Sequence, residues 1–202
     1  MKFSTSIHRT FLYLEYRLHI NNLLLMNQTT GSDQSQEMIA YTRLNVMRMN
    51  RLDKTVQLST ELLKRVNELS KPITIYAITE AWCGDAAQNL PLFNLLAKGS
   101  TNINFVLLMR DEHPLVMDDY LTNGNRAIPK LIAVDQSNEV LFTWGPRPMA
   151  TNYLQQQYKS GLIEYDAFSK KLHAWYAKDK TVALQLELAE LLTKWMRTSA
   201  LS

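Results

Sequence analysis

The sequence predicts an α/β protein: a mixed sheet of about four strands flanked by helices, with extra helices added at the N- and C-terminal ends. Three observations carry this. Ile73 to Ile78 and Ile103 to Met109 are short apolar and β-branched runs, separated by Ala86 to Ala97, where Leu90, Phe93 and Leu96 recur at helical spacing. A strand, helix, strand unit of that length suits a right-handed parallel crossover. Leu131 to Val134 and Val140 to Phe142 have only Asp135 to Glu139 between them, a connection short enough to demand an antiparallel hairpin.

The remaining segments read as helix and linker. Leu52, Val56, Leu63 and Val66 recur at helical spacing, with Lys71 and Pro72 closing the run, and predict one amphipathic helix over 52–69. A short helix is expected around Leu115 to Leu121, followed by the turn Thr122 to Asn125. Phe168, Leu172, Trp175 and Tyr176 make one C-terminal helix face, and Leu184, Leu188, Leu191, Leu192 and Trp195 another. Asn27 to Gln36 is polar and without periodicity, which reads as a joint. Residues 1–36 are therefore expected as an extension or linker and a candidate for disorder, 37–161 as the main domain, and 162–202 as a helical appendage packed on it.

With 202 residues, 46% of them hydrophobic, the chain suffices for one good-sized core. The net charge of +3 is spread along the sequence, with no basic stripe of the kind that nucleic acid requires. One cysteine forms no intrachain disulfide, which directs attention to thiol chemistry. His8, His19, His113 and His173 are isolated, and no metal site is expected. Glu15, Arg17 and His19 interrupt the apolar patches of the first 26 residues, so neither a secretory core nor a run of about 20 apolar residues is present. No membrane span is expected, and the cytoplasm is the expected location.

Chemistry concentrates after the first strand, at Trp82, Cys83, Gly84, Asp85 and Ala86, immediately before a helix in which Pro91 stands eight residues beyond the cysteine. Ile128 and Pro129 precede the third strand. This pattern resembles the thioredoxin superfamily, over roughly residues 50–160. The resemblance implies a Trp-Cys-Gly run opening the active-site helix, a helix-kinking proline at position 91, and a cis-proline at 129 facing Cys83. It departs from the family's pattern in placing Ala86 where the second cysteine of the pair stands. No first strand precedes the helix at 52–69, so a four-stranded, glutaredoxin-like sheet fits better.

Physical argument bears on Cys83 independently. A thiol in the first helical turn feels the positive end of the macrodipole and unpaired backbone N–H groups, which favour its thiolate. Glu80 and Asp85 are close in sequence and oppose this. The sign of the net shift stays open at this stage. Ligands gather at the carboxyl ends of parallel strands, a rim that would collect Cys83, Arg110, Pro129, Trp144 and Arg147. Arg110 and Arg147 flanking a thiol and an aromatic ring would suit an anionic partner such as glutathione or an acidic peptide. The plainer readings make Asp85 a helix-start residue, Gly145 to Pro148 a rigid turn, Arg110 a surface partner of Asp111 or Glu112, and His173 a surface residue.

The function these readings favour is one-cysteine thiol redox chemistry on disulfides or mixed disulfides, with Cys83 as nucleophile. Its partners would be a disulfide-bearing protein or a small thiol. No tightly bound cofactor is expected, and glutathione or another external thiol would clear the mixed disulfide. The alternative is a non-catalytic thioredoxin-fold module that binds a peptide or protein. A glutathione-supported iron–sulfur site shared across a dimer is a third reading that the resemblance allows.

Overall fold

The computed structural model describes residues 2–3 and 7–199. Four strands form one mixed sheet: β1 (Ile73–Thr79), β2 (Ile103–Met109), β3 (Lys130–Val134) and β4 (Val140–Trp144). Their spatial order is β2-β1-β3-β4. β1 pairs in parallel with β2, from Ile73 opposite Ile103 to Thr79 opposite Met109. β3 runs antiparallel to both β1 and β4, with Ile78 opposite Lys130 and Leu131 opposite Trp144. The carboxyl ends of β1, β2 and β4 and the start of β3 therefore meet at one rim.

The crossover from β1 to β2 is α4 (Gly84–Gly99), whose Leu90, Leu92 and Phe93 are fully buried against the sheet. The predicted helix over 52–69 is instead two helices, α2 (Gln36–Thr55) and α3 (Thr60–Asn67). Val56 leaves helical geometry, and Ser59 starts α3 by accepting from the Leu62 N–H at 3.3 Å. The interruption is held from α8 (Val182–Ser199): Gln185 donates to the Gln57 carbonyl at 3.0 Å and accepts from the Ser59 N–H at 2.6 Å. Apolar spacing that ran across the break concealed a capping serine.

Within the segment expected as an extension or linker, residues 7–36 are packed, while residues 1 and 4–6 lie outside the described chain. Phe11 exchanges backbone hydrogen bonds with Leu107. The helix α1 (Tyr13–Leu25) then buries Tyr13, Tyr16, Arg17 and Ile20, one stripe at helical spacing. Arg17 pairs with Asp53 of α2, which also accepts from the Tyr13 hydroxyl at 2.8 Å. Arg17, one of the charges that broke up the apolar run, is thus on the buried face, where Asp53 partners it, and Leu14 and Leu18 are on the exposed one. The loop after α1 buries Thr29 and Thr30, and the Thr30 hydroxyl accepts the Ala81 N–H at 2.8 Å. Its polar residues satisfy backbone groups, and this is why it lacks periodicity yet is ordered.

After β2 come the short helix α5 (Pro114–Asp118) and the turn into β3; after β4, a 3-10 turn at Met149–Thr151 leads into α6 (Asn152–Lys159) and α7 (Tyr165–Asp179). Leu184, Leu188 and Leu192 of α8 join the main core, whereas α6 and α7 share a separate apolar cluster of Leu154, Phe168, Leu172 and Tyr176. Among the described residues no helix is long and apolar enough to cross a membrane.

The turn after β4 fixes the rim. The Ile128–Pro129 and Gly145–Pro146 peptide bonds are both cis, and Gly145 has φ of +116°. A Cβ on Gly145 would drive into the Pro129 carbonyl oxygen, a backbone atom that cannot move aside without breaking the start of β3. Gly145→Ala is therefore expected to cost about 2 kcal/mol or more of folding stability, read from the urea midpoint. An unchanged midpoint would show that this close approach does not constrain the rim.

Candidate functional site at the start of α4

Cys83 is the N-cap of α4, and its side chain is 7% exposed. Its Sγ lies 3.2 Å from the Ile128 carbonyl oxygen, placed to donate the thiol proton to the residue preceding Pro129. The same Sγ accepts the Ala86 N–H at 3.4 Å. Ala86 itself is buried at the position where a second cysteine would stand. Burial is the largest influence on this thiol and pushes it up to about 12, and the Asp85 charge adds to that. The backbone N–H groups of Ala86 and Asp85, and the Arg147 charge, act in the opposite direction and are outweighed. The sign left open by the sequence is thus decided by desolvation.

Asp85 goes beyond a helix-start role. It is buried, and its Oδ2 accepts from Arg147 Nη2 at 2.7 Å and Nε at 3.1 Å. Its Oδ1 accepts from the Tyr176 hydroxyl of α7 at 2.7 Å. Tyr176 in turn accepts from Asn89 Nδ2 at 3.2 Å. Burial pushes the Asp85 carboxyl up, against the stabilising effect of Arg147 and Tyr176. Arg147 also lies with its guanidinium 5.5 Å from the centre of the Phe168 ring. One carboxylate therefore ties α4, the segment after β4 and α7 together.

This tie lays α7 across the start of α4. His173 sits directly over Gly84: a Cβ there would meet the imidazole Cε1 at 2.8 Å. His173 Nδ1 is 3.3 Å from Gln88 Nε2. It is half-buried and belongs to the site's cover, contrary to its expected place on the surface. The other predicted site residues divide, with Trp82 at the cavity beside Gly84. Arg110 stacks its guanidinium over Trp82 at 4.8 Å and pairs with Asp111 at 2.9 Å. Trp144 is buried, and its Nε1 donates to Glu187 of α8 at 2.6 Å. Ile128 and Pro129 are buried beside Cys83. Cys83, Gly84, Asp85, Ala86, Ile128, Pro129 and Arg147 are thus brought together, whereas Arg110 and Trp144 are engaged elsewhere.

A cavity of about 200 Å³ opens beside Gly84, lined among others by Arg48, Trp82, Asp85, Arg147 and His173, with Tyr41, Tyr165 and Phe168 as aromatic wall. A larger groove, about 590 Å³, lies away from the thiol between α3 and α8, and another, about 350 Å³, is lined by Trp144, Gly145 and Arg147. Arg48, Tyr41 and Tyr165 escaped the sequence reading, and Tyr176 entered it only as part of a packing face. No local signal joins residues of α2 and α7 to position 84, because only the long-range Asp85 contacts bring those helices over it.

The site has a pH signature. The His173 imidazole is pushed down to about 4, first by burial and then by the charges of Arg48 and Arg147. Unfolding restores its ordinary value of 6.5. Below that pH the unfolded chain takes up a proton that the folded chain refuses, so stability is complete above 6.5 and is lost as the pH falls toward 4. NMR should find the His173 ring still neutral at about pH 5, and His173→Gln should flatten the acid limb of the stability curve. A ring that titrates near its ordinary value would mean that α7 does not cover the site.

The family model described as thioredoxin matches residues 31–159. Among solved structures, a protein of unknown function from Pseudomonas aeruginosa is similar with a TM-score of 0.55 at 16% identity, covering 91% of this chain and 98% of that one. An HIV epitope-scaffold is similar with a TM-score of 0.56 at 14% identity, covering 86% of this chain and 97% of that one. At such identities these likenesses speak to the fold. Comparison with curated proteins finds no match.

Proposed function

This chain belongs to the thioredoxin family, and on that premise we propose that it works as a thioredoxin-fold binding module whose Cys83 is kept as a neutral, covered thiol, and not as a disulfide-exchange catalyst. The contact between Cys83 Sγ and the Ile128 carbonyl, 3.2 Å, carries this reading. A thiol donating a proton to a carbonyl is the protonated form, whereas the nucleophile in disulfide exchange is the thiolate. With burial pushing its pKa up to about 12, the thiol stays protonated at neutral pH. The partner of the thiol is also a backbone group at the cis-proline, so Cys83 occupies an acceptor that an extended peptide would otherwise use. Binding then falls to the cavity beside Gly84, at the same rim. A lone thiol held protonated suits a reducing compartment such as the cytoplasm.

One observation favours a second reading. Sγ receives the Ala86 N–H at the start of α4, an arrangement that stabilises a thiolate once water reaches it. If α7 lifted, the Cys83 thiolate could attack a disulfide sulfur, forming a mixed disulfide and expelling the other half as a thiolate. An external thiol such as glutathione would then attack the mixed disulfide, releasing Cys83 and itself becoming the disulfide, because Ala86 offers no internal sulfur.

Alkylation by iodoacetamide, followed by intact mass, separates the two. The binding-module reading expects modification that accelerates about tenfold per pH unit past about pH 9 without a plateau, and no adduct with glutathione disulfide at neutral pH. A plateau beginning near neutrality, with a glutathione adduct lost in Cys83→Ser, would replace it with one-cysteine redox chemistry.

A further inference from the structure

Arg48 of α2 points to the ligand. Its Nη1 donates to Asn45 Oδ1 at 2.6 Å, and Asn45 is itself fixed by donating to the Ala81 carbonyl at 2.9 Å. Among the described residues no carboxylate pairs with this guanidinium. Asp85, the nearest acid on the cavity wall, already serves Arg147 and Tyr176. A half-buried arginine held by a buried asparagine, which feels only at a distance a carboxylate that Arg147 and Tyr176 already share, is costly unless something else supplies a paired charge. Arg147 spends Nε and Nη2 on Asp85, leaving its Nη1 without a described acceptor.

The charges of the lining add to one surplus. Arg48 and Arg147 are positive, Asp85 is negative, and His173 is held neutral near pH 7. A monoanion balances the cavity, whereas a phosphate monoester dianion overfills it. The planar fork of a guanidinium matches a carboxylate. The space, about 200 Å³, exceeds the roughly 150 Å³ cavity known to hold benzene, and Tyr41, Tyr165 and Phe168 offer ring faces and edges to a flat apolar body.

We propose that the cavity between α2, the start of α4 and α7 binds a single carboxylate carried on a small planar or apolar body, gripped by Arg48 with the open edge of Arg147. This rests on reading the rim as a binding site and names its ligand class. The carboxylate belongs to a free small molecule or to a peptide C-terminus; both present the same group to Arg48.

Isothermal titration of the full chain tests it, with benzoate and a Phe-terminated tripeptide as probes and benzyl alcohol and the tripeptide amide as their uncharged counterparts. Saturable binding of benzoate alone assigns a free carboxylate, and binding of the tripeptide assigns a chain terminus. In either case the uncharged counterpart should bind at least about tenfold more weakly. Arg48→Met, which keeps the apolar stem, should lose about the same factor, and Arg48→Lys should recover part of it. Binding that is equal in Arg48→Met, equal for acid and uncharged counterpart, or absent for both acids would overturn the proposal. The unfolding curve of Arg48→Met confirms that a loss is not a loss of fold. Alkylation of Cys83 is scored separately, so an inert thiol without carboxylate binding defeats only this inference, and a reactive thiol with carboxylate binding defeats only the preceding reading.

Discussion

The buried carboxylate of Asp85 organises the functional rim. It stands in the first turn of α4, where the helix dipole favours a negative charge, and it collects Arg147 from the segment after β4 and Tyr176 from α7. Desolvation makes such a pair a weak source of net stability, but removing one partner would strand a buried charge at a cost of about 3 to 5 kcal/mol. The network therefore acts chiefly as a specification. It joins the segment after β4 and α7 to the start of α4, with α7 laid over Gly84.

The thiol's state follows from its burial. The helix N-terminus and the Ala86 N–H favour a thiolate, but both are local effects on a group kept from water beside Ile128 and Pro129. In that environment burial and the Asp85 charge outweigh them, and the sulfur keeps its proton, directed at the Ile128 carbonyl. Cys83 thus faces the backbone of the residue before the cis Pro129. The helix α7, laid over Gly84, and α2 together build a cavity in which, among the described residues, no carboxylate forms an ion pair with Arg48.

Much of the scaffold was legible in the sequence because it depends on local pattern. β1, α4, β2 and the β3–β4 hairpin each announce themselves by periodicity or by the shortness of a connection, and Trp82 to Ala86 and Pro129 are marked by order along the chain. The contacts of the loop after α1 and the break between α2 and α3 were not legible, because polar side chains satisfy backbone groups there at long range: Thr30 to Ala81, and Gln185 to Gln57 and Ser59. The site was half legible for the same reason. Cys83, Asp85 and Arg147 lie where topology gathers residues, whereas Arg48, His173 and Tyr176 reach the site only through packing of α2 and α7, which no spacing encodes. Arg110 and Trp144 lie at the predicted ends of their strands, but their side chains were claimed by Trp82 and Asp111, and by Glu187.

With one cysteine in the chain, the protonation state of Cys83 is open to direct spectroscopy. The Raman S–H stretching band of the native protein at neutral pH should be present at full intensity, absent in Cys83→Ser, and shifted to lower frequency than that of a free thiol, as donation to a carbonyl requires. A native spectrum without an S–H band at neutral pH would mean a thiolate, and the account of a covered, neutral thiol would be wrong.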